Sequence, residues 1–314
     1  MAIDALDEAV ESLQLLQRQI WRHVSEVEEN DWVPGWSPSL SFFVLGNEGL
    51  DLRYFGDSYD DDPSAPADPD ASGNYPFHAL LDWLIEPRHA TLVQSLHFGG
   101  PDEGANGIRS WEFARLLQSE TVFPQLRYLN IQWGDPADHN LSIVVGDGEG
   151  DGMYMREGGA LARLLNRMPM LDTLRAPSAP DASFFEGPVH SLRVLEIQSG
   201  TGHQGFIANL ARSRRFSNLK MMDYDEVCPW FIETEGSEAE LAECLTSESD
   251  FQALFESPVM GHLRHLTLRG TRLTPEQLVD LQARCPKLQF LYVPLQGNRY
   301  VSHWQRHLQR IAAQ

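Results

Sequence analysis

Cysteine is almost missing from this 314-residue chain, with Cys228, Cys244 and Cys285 its only three. An odd number without a Cys-x-x-Cys pair supports neither a disulfide framework nor a zinc ribbon. Long apolar runs are missing too. No window approaches the roughly 18 to 20 uninterrupted apolar residues of a membrane span. The opening MAIDALDEAVESLQ carries acids where a secretion signal needs a basic start and an apolar run. A cytoplasmic location and no membrane contact are therefore expected. Bases are scarce, 24 against 45 acids, for a net charge of -21. That balance repels phosphates, so nucleic acid is not an expected partner, and it favours a basic one. Also absent are GxSxG, GxxxxGK[ST] and a GxGxxG between strand and helix, and no catalytic residue, metal or cofactor is expected.

What is present suffices for a folded chain, because 42% of the residues are apolar and 10% aromatic. Residues 2 to 29 place Leu6, Val10, Leu13, Leu16, Ile20 and Val24 at three- and four-residue steps, the mark of an amphipathic helix. Two alternating runs, SFFVLG (41 to 46) and LDLRYFG (50 to 56), flank Asn47-Glu48-Gly49 and read as a β-hairpin. Residues 1 to 56 thus form an N-terminal helix and hairpin. Residues 57 to 74, acidic and rich in Pro, Ser and Ala, read as a flexible loop.

From residue 75 a short motif recurs in the form Leu-x-x-Leu-x-Leu. It appears as Val93-Leu96-Phe98, Leu126-Leu129-Ile131, Leu171-Leu174-Ala176, Leu192-Leu195-Ile197, Leu219-Met222-Tyr224, Leu263-Leu266-Leu268 and Leu288-Leu291-Val293. The copies start 33, 45, 21, 27, 44 and 25 residues apart. Helical segments stand between them at 110 to 120, 158 to 168, 205 to 215, 237 to 258 and 274 to 285. In the last, Thr274, Pro275 and Gln277 spell a capping box with proline at the first helical position. One strand and one helix make each unit. A lone unit cannot bury its apolar edge, so consecutive units stack and the strands form a continuous parallel sheet.

The seven copies resemble leucine-rich-repeat proteins over roughly residues 80 to 295. The stretch FESPVMGHLRHLTLRGTRLTPEQLVDLQARCPKLQFLYV (255 to 293) is similar to the ribonuclease-inhibitor-like repeats of bacterial proteins, and LDWLIEPRHATLVQSLHF (81 to 98) repeats its phrasing. Only two bases are lysines, Lys220 and Lys287, which also points to a GC-rich, bacterial coding genome. The resemblance implies an α/β leucine-rich-repeat solenoid, a curved parallel sheet with outer helices. Repeats would span 75 to 295, with 1 to 56 and a helix at 296 to 314 as caps. The spacing is irregular and the Asn usual after the strand is mostly missing, so the curve should be uneven.

In the motif the leucines point inward, and alternation sends the residues between and just after them to the concave face. That makes Ser95, His97, Tyr128, Asn130, Gln132, Arg175, Glu196, Gln198, Asp223, Asp225, His265, Thr267, Arg269, Phe290 and Tyr292 candidate partner-binding residues, with Trp133 at the rim. Rings mixed with charges are the composition enriched at protein interfaces. Glu196, Asp223 and Asp225 should form an acidic centre, and Arg269 should mark a change of sign. The expected function is non-catalytic binding of a protein ligand, with a basic partner and an inhibitor or immunity-type role favoured by charge and resemblance.

Two alternatives stay open. The run Gly146-Asp147-Gly148-Glu149-Gly150-Asp151-Gly152 places acids before glycine as a calcium loop does, but the bidentate acid due at position twelve falls on Gly158. A metal-dependent enzyme or calcium-binding protein would use this acidic insertion, residues 135 to 157. His303 and His307 stand one helical turn apart but lack a third zinc ligand. The other alternative is a scaffold subunit of a larger assembly.

Overall fold

The structure is a computed structural model, and it describes residues 2–28, 38–46, 48–56, 75–100, 110–134, 144–146, 157–199, 202–227 and 237–293. The acidic loop 57 to 74, most of the 135 to 157 insertion, the C-terminal helix expected at 296 to 314, His303, His307, Cys228 and Asn47 lie outside the described residues.

The chain begins with helix α1 (Ala2–Glu28) and the hairpin β1 (Ser39–Leu45) and β2 (Gly49–Phe55). Helices α2 (Tyr75–Leu84) and α3 (Pro87–Ala90) lead into β3 (Val93–Gly99). Then follow β4 (Ser110–Glu112), α4 (Ala114–Gln118), β5 (Tyr128–Ile131), β6 (Val144–Gly146), α5 (Ala160–Asn166) and β7 (Thr173–Ala176). A 3-10 turn (Ala182–Phe185) precedes β8 (Val194–Gln198), α6 (Phe206–Arg212) and β9 (Met221–Asp225). The last elements are α7 (Glu238–Cys244), α8 (Glu248–Glu256), a 3-10 turn (Pro258–Gly261), β10 (His265–Arg269), α9 (Pro275–Arg284) and β11 (Gln289–Val293).

Among the described residues, nine strands form one open sheet in the order β1-β2-β3-β5-β7-β8-β9-β10-β11. Only β1 and β2 are antiparallel; every other neighbour is parallel and is the next strand along the chain, save for β4 and β6. Those two pair with each other, Ser110 opposite Val144. The architecture is therefore α/β with a mostly parallel sheet. The helices line up as well: α1, α2, α4, α5, the 182–185 turn, α6, α8 and α9 each touch the next.

Register explains the core. Leu96, Leu129, Leu174, Leu195, Met222 and Leu266 lie side by side across six strands, and Phe98, Ile131, Ala176, Ile197, Tyr224 and Leu268 form the next row. Both rows are buried and join the helices in one apolar core. A fully buried side chain of this size contributes roughly 1.5 to 3 kcal/mol. The leading leucine of several copies also closes a turn, its N–H donating three residues back: Leu126 to Phe123, Leu171 to Met168, Leu219 to Phe216 and Leu288 to Cys285. Neighbouring units are stitched by arginine. Arg167 donates to the Leu116 and Leu117 carbonyls at the end of α4, and Arg215 donates to the Phe184 carbonyl and to Asn166. Such contacts satisfy helix-end carbonyls that would otherwise lack donors.

The N-terminal segment is continuous with the sheet. Leu6, Leu13, Leu16 and Ile20 of α1 enter the common core, Gln17 donates to the Leu40 carbonyl, and the Trp83 indole donates to Ser12. The capping box at Thr274 and Gln277 forms as spelled in the sequence. The helix expected over 110 to 120 is shorter, because Ser110–Glu112 are strand and the helix starts at Ala114. Its Trp111 packs among Tyr54, Phe77 and Phe98, an aromatic cluster that a helical start would not reach in this way. The acidic insertion at 135 to 157 contributes β6, and its Glu157 accepts from the Gly159 and Leu161 amides at the start of α5.

Candidate functional site

The strand positions that alternate with the core rows face away from it. One row reads Asp51, Ser95, Tyr128, Thr173, Val194, Met221 and His265; the other reads Arg53, His97, Asn130, Arg175, Glu196, Asp223 and Thr267. Most are half-buried, as in the alternating pattern of β5 and β7.

At the N-terminal end, Asp51 receives Arg53 through Nε at 3.2 Å and Nη2 at 2.8 Å. His97 Nε2 lies 2.9 Å from Ser95 Oγ and 3.4 Å from Asp51 Oδ1. Serine, histidine and aspartate are thus together, but not as a proton relay. Both partners meet the same ring nitrogen, whereas a relay needs one on each, and Asp51 is held by Arg53. Burial lowers the His97 pKa from its ordinary value against the pull of Asp51. Its ring lies against Tyr128, centroids 4.9 Å apart, and the Arg53 guanidinium lies 5.0 Å over the Phe43 ring.

In the middle, the Arg175 guanidinium sits 4.5 Å over the Trp133 ring, with Arg175 Nε 3.7 Å from Glu196. Trp133, expected at the rim, therefore folds back over β7. The Gly100 amide donates to Gln132 Oε1 at 3.1 Å. Burial, then the charge of Glu196, pushes the Tyr128 hydroxyl above its ordinary range. A cation stacked on a ring contributes about 0.5 to 2 kcal/mol and holds the ring in one orientation.

The C-terminal part differs from expectation. Gln198, Asp223, Asp225, Thr267 and Arg269 are buried. Arg269 grips Asp223 in a two-pronged pair, Nε to Oδ1 and Nη2 to Oδ2, both 2.7 Å. Burial works against the Arg269 charge, yet the hydrogen bond and charge of Asp223 outweigh it and raise the pKa. Gln198 exchanges hydrogen bonds with both backbone groups of Gly134 and donates to Asp225, so the chain leaving β5 crosses to β8. The expected acidic centre is thus compensated internally at Asp223, and Arg269 is its counter-ion rather than a separate basic end.

Phe290 and Tyr292 are a second correction. The motif spacing sets Phe290 opposite His265, but β11 pairs one residue short of that, Gln289 opposite His265. A one-residue slip moves every side chain to the other face. Phe290 and Tyr292 therefore pack on the core, Phe290 with its ring 5.7 Å from that of Phe255 and Tyr292 donating to the Thr271 carbonyl. Two large rings gain more from the helix side than Leu291 loses on the other.

The half-buried band from Ser95 to Glu196 is the portion of the expected face that a partner can reach, together with exposed His265 at the far end. Phe43 and Arg53 extend it onto the hairpin, with Asp51 buried beside Arg53. They were missed because nothing in the sequence tells that β2 pairs with β3, although the alternation in LDLRYF puts Asp51 and Arg53 on one side. Among the described residues no group of three His, Cys, Asp or Glu is placed to hold a metal ion. No protein-family model matches the chain, and no curated protein or solved structure matches it.

Proposed function

We propose that this chain is a leucine-rich-repeat solenoid whose concave sheet face binds a protein ligand without catalysis. The observation that carries the reading is the band of His97, Tyr128, Trp133, Arg175 and Glu196. These rings and charges are pre-set by stacking and ion pairing on the sheet face opposite the helices. Pre-ordered aromatic and arginine side chains lose little freedom on binding, which is why they dominate interface energetics. Two Arg–carboxylate pairs, Arg53–Asp51 and Arg269–Asp223, neutralise four of the charges on that face. The overall charge of -21 acts at longer range and favours a basic partner.

The test is affinity capture with the full chain from its source cells, followed by dissociation constants for the captured partner. Tyr128→Ala and Arg175→Ala should each weaken binding about 10-fold, or ~1.4 kcal/mol. Val279→Ala, on the exposed side of α9, should leave it unchanged. Equal affinity for all three variants and the parent would remove the concave face from consideration.

A further inference from the structure

The outward face does not end at the repeats. β1 is the terminal strand of the sheet, and among the described residues no strand lies beyond it. Proteins guard such edges with charge, proline, shortness or a bulge. β1 has none of these, and the helix α1 reaches only its N-terminal end, where Gln17 donates to the Leu40 carbonyl, leaving Phe43 to Leu45 exposed. The strand runs seven residues, SLSFFVL, without charge or proline, and its register with β2 is unbroken from Ser39 opposite Phe55 to Leu45 opposite Gly49. It also exposes apolar side chains: Phe43 is 52% exposed, Val44 45% and Leu45 40%. Phe43 pairs with Asp51 and so belongs to the same face as the ring-and-charge band.

We infer that β1 accepts an extended segment of a partner protein as an added strand, the segment alternating apolar residues between basic flanks. This rests on the protein-binding reading and narrows it to a mode. Strand addition draws affinity from main-chain hydrogen bonds and selectivity from alternate side chains. Here Phe43 and Leu45 lie on one side of the new strand and Val44 on the other. The charge of -21 attracts a basic segment and repels a second copy of this chain. Self-pairing about a two-fold at Phe42 would also set each Phe43 against Ser41 and each Leu45 against Ser39, so on that face neither meets an apolar partner across the joint. One seven-residue edge buries far less than the roughly 800 Å² per partner of a stable dimer.

The experiment pans the full chain against a displayed library of random decapeptides and measures enriched peptides by fluorescence polarisation. Enriched sequences should alternate apolar residues between Lys or Arg flanks. Val44→Lys and Leu45→Lys should each weaken the best peptide at least 10-fold, and N-methylating the amides along one of its edges should abolish binding. Tyr128→Ala, which weakens a partner on the concave face, should leave the peptide unaffected because Tyr128 lies three strands away, so the two readings fail separately. No enrichment, enrichment without basic flanks, or tolerance of N-methylation overturns the proposal. So does a dimer of the parent chain that Val44→Lys dissolves, since the occupant would then be a second copy. The N-methylated peptide is measured on the parent chain, so it decides between strand addition and its absence even if a substitution unfolds the hairpin.

Discussion

Replacing Glu226 by glutamine should flatten the alkaline side of the stability profile. Glu226 follows β9 and is buried; its Oε1 accepts from the Thr246 amide at 2.7 Å and lies 3.3 Å from the Tyr224 hydroxyl, while Oε2 has no hydrogen-bond partner. Burial pushes the carboxyl from 4.5 up to about 8; bonds from Thr246 and Tyr224 oppose the rise and the Asp225 charge adds to it. The folded chain therefore keeps a proton that the unfolded chain releases between pH 4.5 and about 8. Stability from this group is full below 4.5 and is lost as pH rises through 8. At about 1.4 kcal/mol per pH unit the whole loss is roughly 5 kcal/mol, of which about half falls between about pH 6 and 9. Glutamine keeps the Oε1 acceptor and cannot ionise. Urea unfolding of both proteins at intervals from pH 6 to 9 should show Glu226→Gln gaining about 2 to 3 kcal/mol on the parent across the range. Parallel profiles would refute the buried, proton-holding carboxyl.

Other substitutions probe other parts of the molecule. Arg269→Met should destabilise by about 3 to 5 kcal/mol by leaving Asp223 buried without its partner, and adding Asp223→Leu should recover most of the loss; equal urea midpoints for the single and double variants would contradict this. His190 accepts from the Leu192 amide through Nδ1 and meets the Met168 carbonyl through Nε2, so it is bound as the neutral ring. Burial, then the charge of Arg215, lowers its pKa, so its contribution is present above the ordinary value of 6.5 and is lost as pH falls below that. His190→Gln should lose less stability than the parent between about pH 7 and 5, each unit of pKa depression counting about 1.4 kcal/mol; an equal loss in both proteins would refute a buried neutral ring. Thr274→Ala should cost about 1 kcal/mol by removing the acceptor for the Gln277 amide, read as a lower thermal midpoint; an unchanged midpoint would show that the capping box adds nothing.

Much of the fold was legible because the motif couples chemistry to register. Leu-x-x-Leu-x-Leu fixes which side chains face inward, so even the degenerate LKMMDY copy, with Met222 and Tyr224 in the core rows, takes its place as β9. Helix starts were readable where a side chain closes the first turn, as at Thr274. What the motif does not encode is what lies across it. Asp223 and Arg269 stand 46 residues apart in sequence, and their pairing follows only from the β9–β10 register. Gln198 is covered because the chain after Gln132 turns back over β7, a course set by Trp133 on Arg175 and by Gly134, and no periodicity predicts it. Phe290 and Tyr292 were misplaced because no strand follows β11 among the described residues to hold its register to the repeat, so packing against Phe255 decided it.

The central claim, that the concave face is where a partner docks, is tested most directly by position-specific photo-crosslinking. A benzophenone side chain placed at Tyr128, in the middle of the band, should capture the partner on irradiation. The same group at Val279, 65% exposed on α9, should not. Capture at Val279 with none at Tyr128 would move the interface to the helices and contradict the account.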